Sequence, residues 1–293
     1  MVRPERDGRK DGMTDGRYDR VRRSPALVME RPFQPSLFPS FRLWTDPTPR
    51  SGPRNMAIDQ ALLDAAEQRG VGVLRLYRWE PHCLSFGRNE PALRRYDRAR
   101  IESLGLSVVR RPTGGRAVWH ADELTYAIAC PAAWFGDLRT AYRRIHEMLA
   151  EAVASLGLAP VLAGPPVTAQ PVDAGACFAM PAGGEVLIGG KKVVGSAQVR
   201  QGGAMLQHGS VLLGGTQRQV AEVSVGPPAP QGETSLAAVL GRTVTFEEMA
   251  SAIEAATGGG QEAPPIADEL GATDAATAAH ELQFSSDSWT WRR

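Results

Sequence analysis

Arg110-Arg111-Pro112-Thr113-Gly114-Gly115-Arg116-Ala117-Val118-Trp119-His120 is the stretch on which the reading of this chain turns. A Gly-Gly pair lets the backbone take positive φ and approach a ligand with no Cβ in the way. Successive amides in such a turn form a nest for a phosphate or an oxyanion. Arginines at this density can clamp a carboxylate or phosphate bidentately. Arg110, Arg111, Thr113, Gly114, Gly115 and Arg116 are therefore candidate substrate-binding residues, with His120 following on a strand. A lone Gly-Gly is usually a hairpin turn, and the flanking cations set this one apart.

A second Gly-rich stretch reads Gly189-Gly190-Lys191-Lys192-Val193-Val194-Gly195-Ser196-Ala197-Gln198 and runs on to Gln207-His208-Gly209-Ser210. Strand alternation from Lys192 puts Val194 and Ser196 on its face. A lysine there can polarise a carbonyl or depress a nearby thiol's pKa. Gly195, Ser196 and His208 join the candidate binding set, although His208 reads more simply as a hydrogen-bonded core histidine. Cys177, in Gly175-Ala176-Cys177-Phe178, follows a Pro- and Gly-rich loop and is reachable, whereas Cys83 and Cys130 lie inside strands. A reachable thiol beside a cation is a nucleophile candidate. An acyl-transfer enzyme is the leading expectation.

The bulk composition excludes more than it suggests. Net charge is +1, which gives no reason to expect nucleic acid or an acidic partner. No run of about 18 apolar residues exists to span a membrane. No secretory signal is expected at the start of the chain, and residues 1–38 read as a charged, disordered leader. Three cysteines make no disulfide set and no metal spacing. The histidines show no ligand spacing either, so no metal site is expected. A reducing cytoplasm is the expected location.

Hydrophobic periodicity places strands at 41–44, 73–79, 83–87, 107–111, 123–129, 185–188, 192–199 and 204–213. Helices are predicted over 55–64, 91–104 and 138–156, the last with Tyr142, Ile145, Leu149 and Val153 on one face. Residues 164–176 read as a loop. Thr245-Phe246-Glu247-Glu248 is a capping box that opens a helix to about Ala256. A weak Ala-rich helix is expected over 266–281, and the last dozen residues as frayed, with Trp289 and Trp291 able to dock. The fold class is α+β, a mixed or antiparallel sheet with flanking helices. A catalytic domain is expected over 39–225, followed over 226–293 by a linker and a small helical C-terminal appendix.

Taken together, Asn55-Met56-Ala57-Ile58-Asp59, Ser85-Phe86-Gly87-Arg88-Asn89, the 110–120 loop, 192–198 and Gln207-His208-Gly209-Ser210 resemble the lipoate–protein ligase and octanoyltransferase family, which shares its fold with biotin protein ligases. The resemblance spans roughly residues 41–215. The ligases typically read Gly-Gly-Gly-Ala-Val-x-His-Asp, whereas this chain has Arg116 in place of the third glycine, then Glu123-Leu124-Thr125-Tyr126, and Cys177-Phe178 ahead of the lysine strand. Those features are similar to the Cys-dependent octanoyltransferases of lipoate assembly. Pro181-Ala182-Gly183-Gly184 departs from the pattern, being smaller than the segment expected after the cysteine.

The resemblance implies Cys177 as nucleophile and Lys192 as a catalytic residue that orients the acyl carbonyl. It implies octanoyl-acyl carrier protein as donor, with no cofactor and no ATP. The acceptors would be lipoyl domains of 2-oxoacid dehydrogenase complexes or the glycine-cleavage H protein. Backbone amides near Gly114-Gly115 would hold the oxyanion, His120 would help remove the acceptor lysine's proton, and Val118, Val194 and Leu212 would line the acyl tunnel. No nucleic acid or membrane partner is implied, and a monomer is expected. The rivals are an ATP- and Mg-dependent lipoate ligase, an octanoyl amidotransferase acting between lipoyl-bearing proteins, and a binding module for lipoyl domains or acyl carriers without catalysis.

Overall fold

The computed structural model describes residues 41–164, 184–226, 232–258 and 275–292. The predicted leader, most of the 164–176 loop, Cys177 and Pro181-Ala182-Gly183 lie outside the described residues.

A five-stranded sheet forms the centre. Its strands are β1 (Arg42–Thr45), β2 (Val73–Tyr77), β6 (Glu123–Pro131), β11 (Ala204–Leu212) and β10 (Val194–Gln201), side by side in that order. β1 runs parallel to β2, and the other neighbours are antiparallel. Both faces are covered. Val73, Tyr77, Ala127, Ala129, Ala204 and Leu206 pack against Met56, Ile58, Leu62 and Leu63 of α1 (Gly52–Arg69). Leu74, Leu76, Ile128, Cys130 and Met205 pack the opposite way, against Ile145, Leu149 and Val153 of α4 (Leu138–Ser155). Side chains alternate across a strand, so β6 and β11 can be buried almost end to end only because helices close both sides.

A second sheet sets β3 (Cys83–Phe86) between β4 (Ser107–Arg110) and β5 (Val118–His120). A third pairs β7 (Val161–Leu162), β8 (Val186–Ile188) and β9 (Lys191–Lys192). The turn from β5 to β6 holds Asp122 at φ 44°, a left-handed conformation that Asp tolerates better than most residues. Its carbonyl accepts the N–H groups of Leu213, Gly214 and Gly215, each at 3.1 Å, which fixes the turn between His120 and Glu123.

Several expectations need correction. α1 begins at Gly52 rather than Asn55, because the Ser51 hydroxyl caps it by accepting from Arg54 N and a proline stands in its first turn. The helix predicted over 91–104 is two pieces, α2 (Ala92–Arg95) and α3 (Arg98–Ser103). Tyr96 between them is extended (φ −126°, ψ 139°) and bridges to Ser224, and Asp97 then caps α3. The strand predicted over 192–199 is broken at Val193, where the chain leaves the third sheet for the central one. Lys192 therefore does not share a strand face with Val194 and Ser196.

After α5 (Arg218–Val223) and α6 (Leu236–Leu240), the capping-box helix forms as α7 (Phe246–Ala256), with Thr245 Oγ1 accepting from Glu248 N. Phe246, Met249 and Ile253 enter the α4 core. Of the Ala-rich helix expected over 266–281, residues 266–274 lie outside the described residues and the remainder falls in α8 (Ala275–Phe284), whose Phe284 packs beneath α1. Residues 282–292 are not frayed. They include α9 (Asp287–Thr290), and Trp291 is buried against Phe86.

Candidate active site

A pocket opens where β10 and β11 meet β2, β5 and β6. Tyr77, Trp79, Arg111, Val118, His120, Thr125, Gly195, Ser196, Ala197, His208, Gly209 and Ser210 line it. The two Gly-rich stretches and the Gln207-His208-Gly209-Ser210 strand thus reach one cavity. Val118 lines it, whereas Val194 is buried in the core and Leu212 is buried against Val118.

Three buried histidines organise its walls. His208 Nδ1 donates to Asp59 Oδ2 at 2.9 Å, and Nε2 accepts from the Thr113 hydroxyl at 2.6 Å. Burial holds this imidazole below its ordinary value, although Asp59 pulls the other way. Asp59 also accepts from the Tyr77 hydroxyl at 2.8 Å and from Arg75 at 3.1 Å. Burial and the Asp59 charge push the Tyr77 phenol well up, so it stays a donor. Arg75 is fully buried and pairs as well with Asp46 at 2.8 Å. Asp–His–Thr is the connectivity of a catalytic triad, but Thr113 is wholly buried and does not line the pocket. The arrangement holds His208 and the loop in place.

The second group is centred on His120. Nδ1 faces Glu123 Oε1 at 2.7 Å and Nε2 faces Ser85 Oγ at 2.6 Å. Thr125 and Ser210 hydroxyls donate to the same Glu123 oxygen, and Trp79 Nε1 donates to Thr125. The His120 and Trp79 rings stack with centroids 4.0 Å apart. That pair separates the pocket from a wider groove of about 410 Å³, which Arg78, Glu80, Phe246 and Glu247 help to line.

The third group lies across the sheet. His146 Nδ1 meets the Gly184 carbonyl at 2.7 Å, so that nitrogen carries the proton. Burial pushes this imidazole down to about 3, so the ring is neutral and Nε2 accepts from Ser196 at 2.8 Å. The Ser196 oxygen must then accept from Tyr126, 2.7 Å away, and Tyr126 accepts from Gln207 at 2.8 Å. Ser196 thus ties the pocket to the point where the described chain resumes after the Cys177 segment.

The arginines divide their work. Arg111 lines the pocket, donating to Ser85 Oγ at 2.6 Å and to the Gly114 and Arg116 carbonyls at 3.1 and 2.8 Å. Its cation holds the loop carbonyls turned back, and Gly115 sits at φ 90° on the exposed rim. Arg110, expected to meet a ligand, instead donates to main-chain carbonyls of Gly87 and Glu90 and does not line the pocket. Lys192 is buried and paired with Glu185 at 2.5 Å, beside rather than within the pocket lining. Burial raises the Cys83 and Cys130 thiols to about 12, so neither is a ready nucleophile. Cys177 lies outside the described residues.

Tyr77, Trp79 and His146 lie in none of the motifs, whereas Asp59 and Glu123 stand in motifs with no role assigned to them. Asp59 and His146 sit on apolar helix faces, and a polar group on such a face was the available signal. Among the described residues no helix is long and apolar enough to cross a membrane.

Comparison with known proteins identifies the family. The lipoyl protein ligase A/B catalytic-domain family matches residues 51–258. The chain is 38% identical over 206 residues to octanoyltransferase LipM of Exiguobacterium sibiricum, covering 67% of this chain and 74% of that one. It is 34% identical over 263 residues to octanoyltransferase LipM of Symbiobacterium thermophilum, covering 83% and 96%. A lipoate-protein ligase A solved with ATP shares the fold, with a TM-score of 0.70 at 21% identity over 86% of this chain and 99% of that one. The chain belongs to the lipoate–protein ligase and octanoyltransferase family, on its catalytic-domain fold.

Proposed function

We propose that the protein is an octanoyltransferase of protein lipoylation. It would take the acyl group from octanoyl-acyl carrier protein through a thioester on Cys177 and pass it to a lysine of a lipoyl domain or of the glycine-cleavage H protein. The observation that carries the reading is the likeness to octanoyltransferase LipM, which extends over 96% of one such relative. The ATP-dependent alternative has in its favour the shared catalytic-domain family and likeness of fold, at 21% identity.

In the first step the Cys177 thiolate attacks the thioester carbonyl and the carrier's thiolate leaves, taking a proton. In the second the acceptor amine attacks the Cys177 thioester, loses a proton, and an amide replaces the carbon–sulfur bond. Thioester exchange is nearly isoenergetic and amide formation runs downhill, so ATP is not consumed. Gly114-Gly115 amides would hold the oxyanion, a kind of contact whose loss costs about 2.7–4 kcal/mol. Lys192 would reach the carbonyl from its Glu185 pair. Gly195, Ser196 and His208 would bound the chain. His120 fits a wall better than a base, because Glu123 and Ser85 engage both ring nitrogens and one ring face is stacked on Trp79.

The test is transfer itself. The protein, octanoyl-acyl carrier protein and an unmodified lipoyl domain are mixed without ATP, and the lipoyl domain is weighed by mass spectrometry. One added octanoyl group is expected. Octanoylation or lipoylation only when ATP and the free acid are supplied would establish a ligase instead.

A further inference from the structure

The main chain at Thr290 meets Arg110, 180 positions earlier in the sequence. We propose that residues 286–292 are a positioning element, which fixes Arg110 and, through it, the two facing turns at 87–90 and 113–116 that present the glycine loop. The proposal rests on the reading of that loop as part of the acyl-donor site.

The two turns interlock first with each other. Arg88 N donates to the Thr113 carbonyl at 2.7 Å, and Arg111 N to the Phe86 carbonyl at 2.8 Å. A Cβ on Gly87 would overlap the Gly115 carbonyl oxygen, so the backbones touch with nothing between them. Hydrogen bonds at the ends of such turns do not fix their mutual angle. Arg110 supplies that. It is fully buried, and its guanidinium donates to the carbonyls of Gly87 at 2.7 Å and Glu90 at 2.8 Å.

The other edge of the same guanidinium meets the distant segment. Arg110 Nε donates to the carbonyls of Trp289 at 3.1 Å and Thr290 at 2.9 Å, the latter 180 positions along the chain. Trp289 Nε1 returns a bond to the Arg110 carbonyl at 2.9 Å. Arg292 donates to the Arg88 carbonyl at 2.7 Å and lies 3.9 Å from the Trp289 ring centroid. Trp291 packs on Phe86, the residue before the first turn, with centroids 5.2 Å apart. Its contacts with Arg110, Arg88 and Phe86 thus converge on the two turns, while Asp287 also pairs with Arg98 at 2.8 Å and Trp289 packs against Phe284.

A four-residue helix has no stability of its own, so α9 depends on its tertiary contacts. A segment held by a few contacts opens locally more readily than the core does. When it leaves, Arg110 keeps its grip on 87–90 but loses the anchor that sets its plane, and the glycine rim loosens.

Amide hydrogen exchange and transfer kinetics on the full chain, on the chain lacking 286–293, and on Trp291→Ala and Trp291→Phe test this. Shortening the chain, or Trp291→Ala, is expected to speed exchange at 87–90 and 113–117 at least tenfold, leaving the α4 amides unchanged. Transfer should lose at least tenfold in kcat/KM, mostly through KM. Trp291→Phe, or a synthetic peptide of residues 284–293 added to the shortened chain, should restore both. Unchanged exchange at the two turns would overturn the proposal, as would a loss that spreads through α4 and that the peptide does not reverse. If the full chain transfers no octanoyl group while the turns still loosen and are still rescued, the positioning role stands and the octanoyltransferase reading falls.

Discussion

His146 illustrates what a single side chain contributes. Its neutral ring completes a buried relay from the Gly184 carbonyl to Ser196, Tyr126 and Gln207. Burial carries its pKa from the ordinary 6.5 down to about 3, with the Lys192 charge acting the same way and the Gly184 carbonyl opposing. The unfolded chain therefore takes up a proton near 6.5 that the folded chain refuses until near 3. Stability contributed by this residue is complete above that upper value and falls as pH drops, by roughly 1.4 kcal/mol per pH unit through the interval. His208 is displaced in the same direction. Urea unfolding as a function of pH should show this slope in the parent and a shallower one in His146→Gln. Equal slopes would contradict the assignment. Reading the sequence did not single out this residue, because the apolar face of α4 that buries it also disguises it as packing. Arg111, His120 and His208 were legible because each stands in a short motif whose glycines announce a backbone under constraint.

Between elements, the decisive contact is that of β10 with β11. Gly209 lies opposite Ser196 in the ladder, and a Cβ there would overlap both the Gly195 carbonyl oxygen and Ser196 Oγ. The glycine lets the strand pair close at the pocket wall without pushing Ser196 off His146. Gly209→Ala is expected to lower octanoyl transfer at least tenfold and to reduce Tm, with circular dichroism retaining the mixed strand and helix signal. Transfer at the parental rate would show that this wall is not part of the site. At this scale the sequence reading succeeded on element type and failed on continuity. Strand periodicity over 192–199 is genuine, but period alone cannot tell that the chain changes sheets at Val193. Lys192 was consequently placed on the face of Ser196, when it pairs with Glu185 outside the pocket lining. The break at Tyr96 was hidden for a similar reason, since its cause is a bridge to Ser224, far along the chain.

The whole molecule is one arrangement in which distant pieces complete a common centre. The central sheet would expose a face if α7 did not join α4, and α1 would expose part of its packing surface without Phe284. The residues after 226, expected as an appendix, thus contribute to the same cores as the residues before it. Long-range docking of this kind has no local period, so composition and spacing could foresee the helices but not where they pack. The order of motifs carried more, because it matched a family, and the match to residues 51–258 encloses every described residue of the pocket. Cys177 lies within those bounds. The proposed transfer requires that this thiol carry the acyl group. Intact mass spectrometry of the protein and of Cys177→Ala, each mixed with octanoyl-acyl carrier protein in the absence of ATP, measures this directly. One octanoyl adduct, removable by hydroxylamine, is expected on the parent and none on Cys177→Ala. An adduct on both proteins, or on neither while transfer to the lipoyl domain continues, would contradict it.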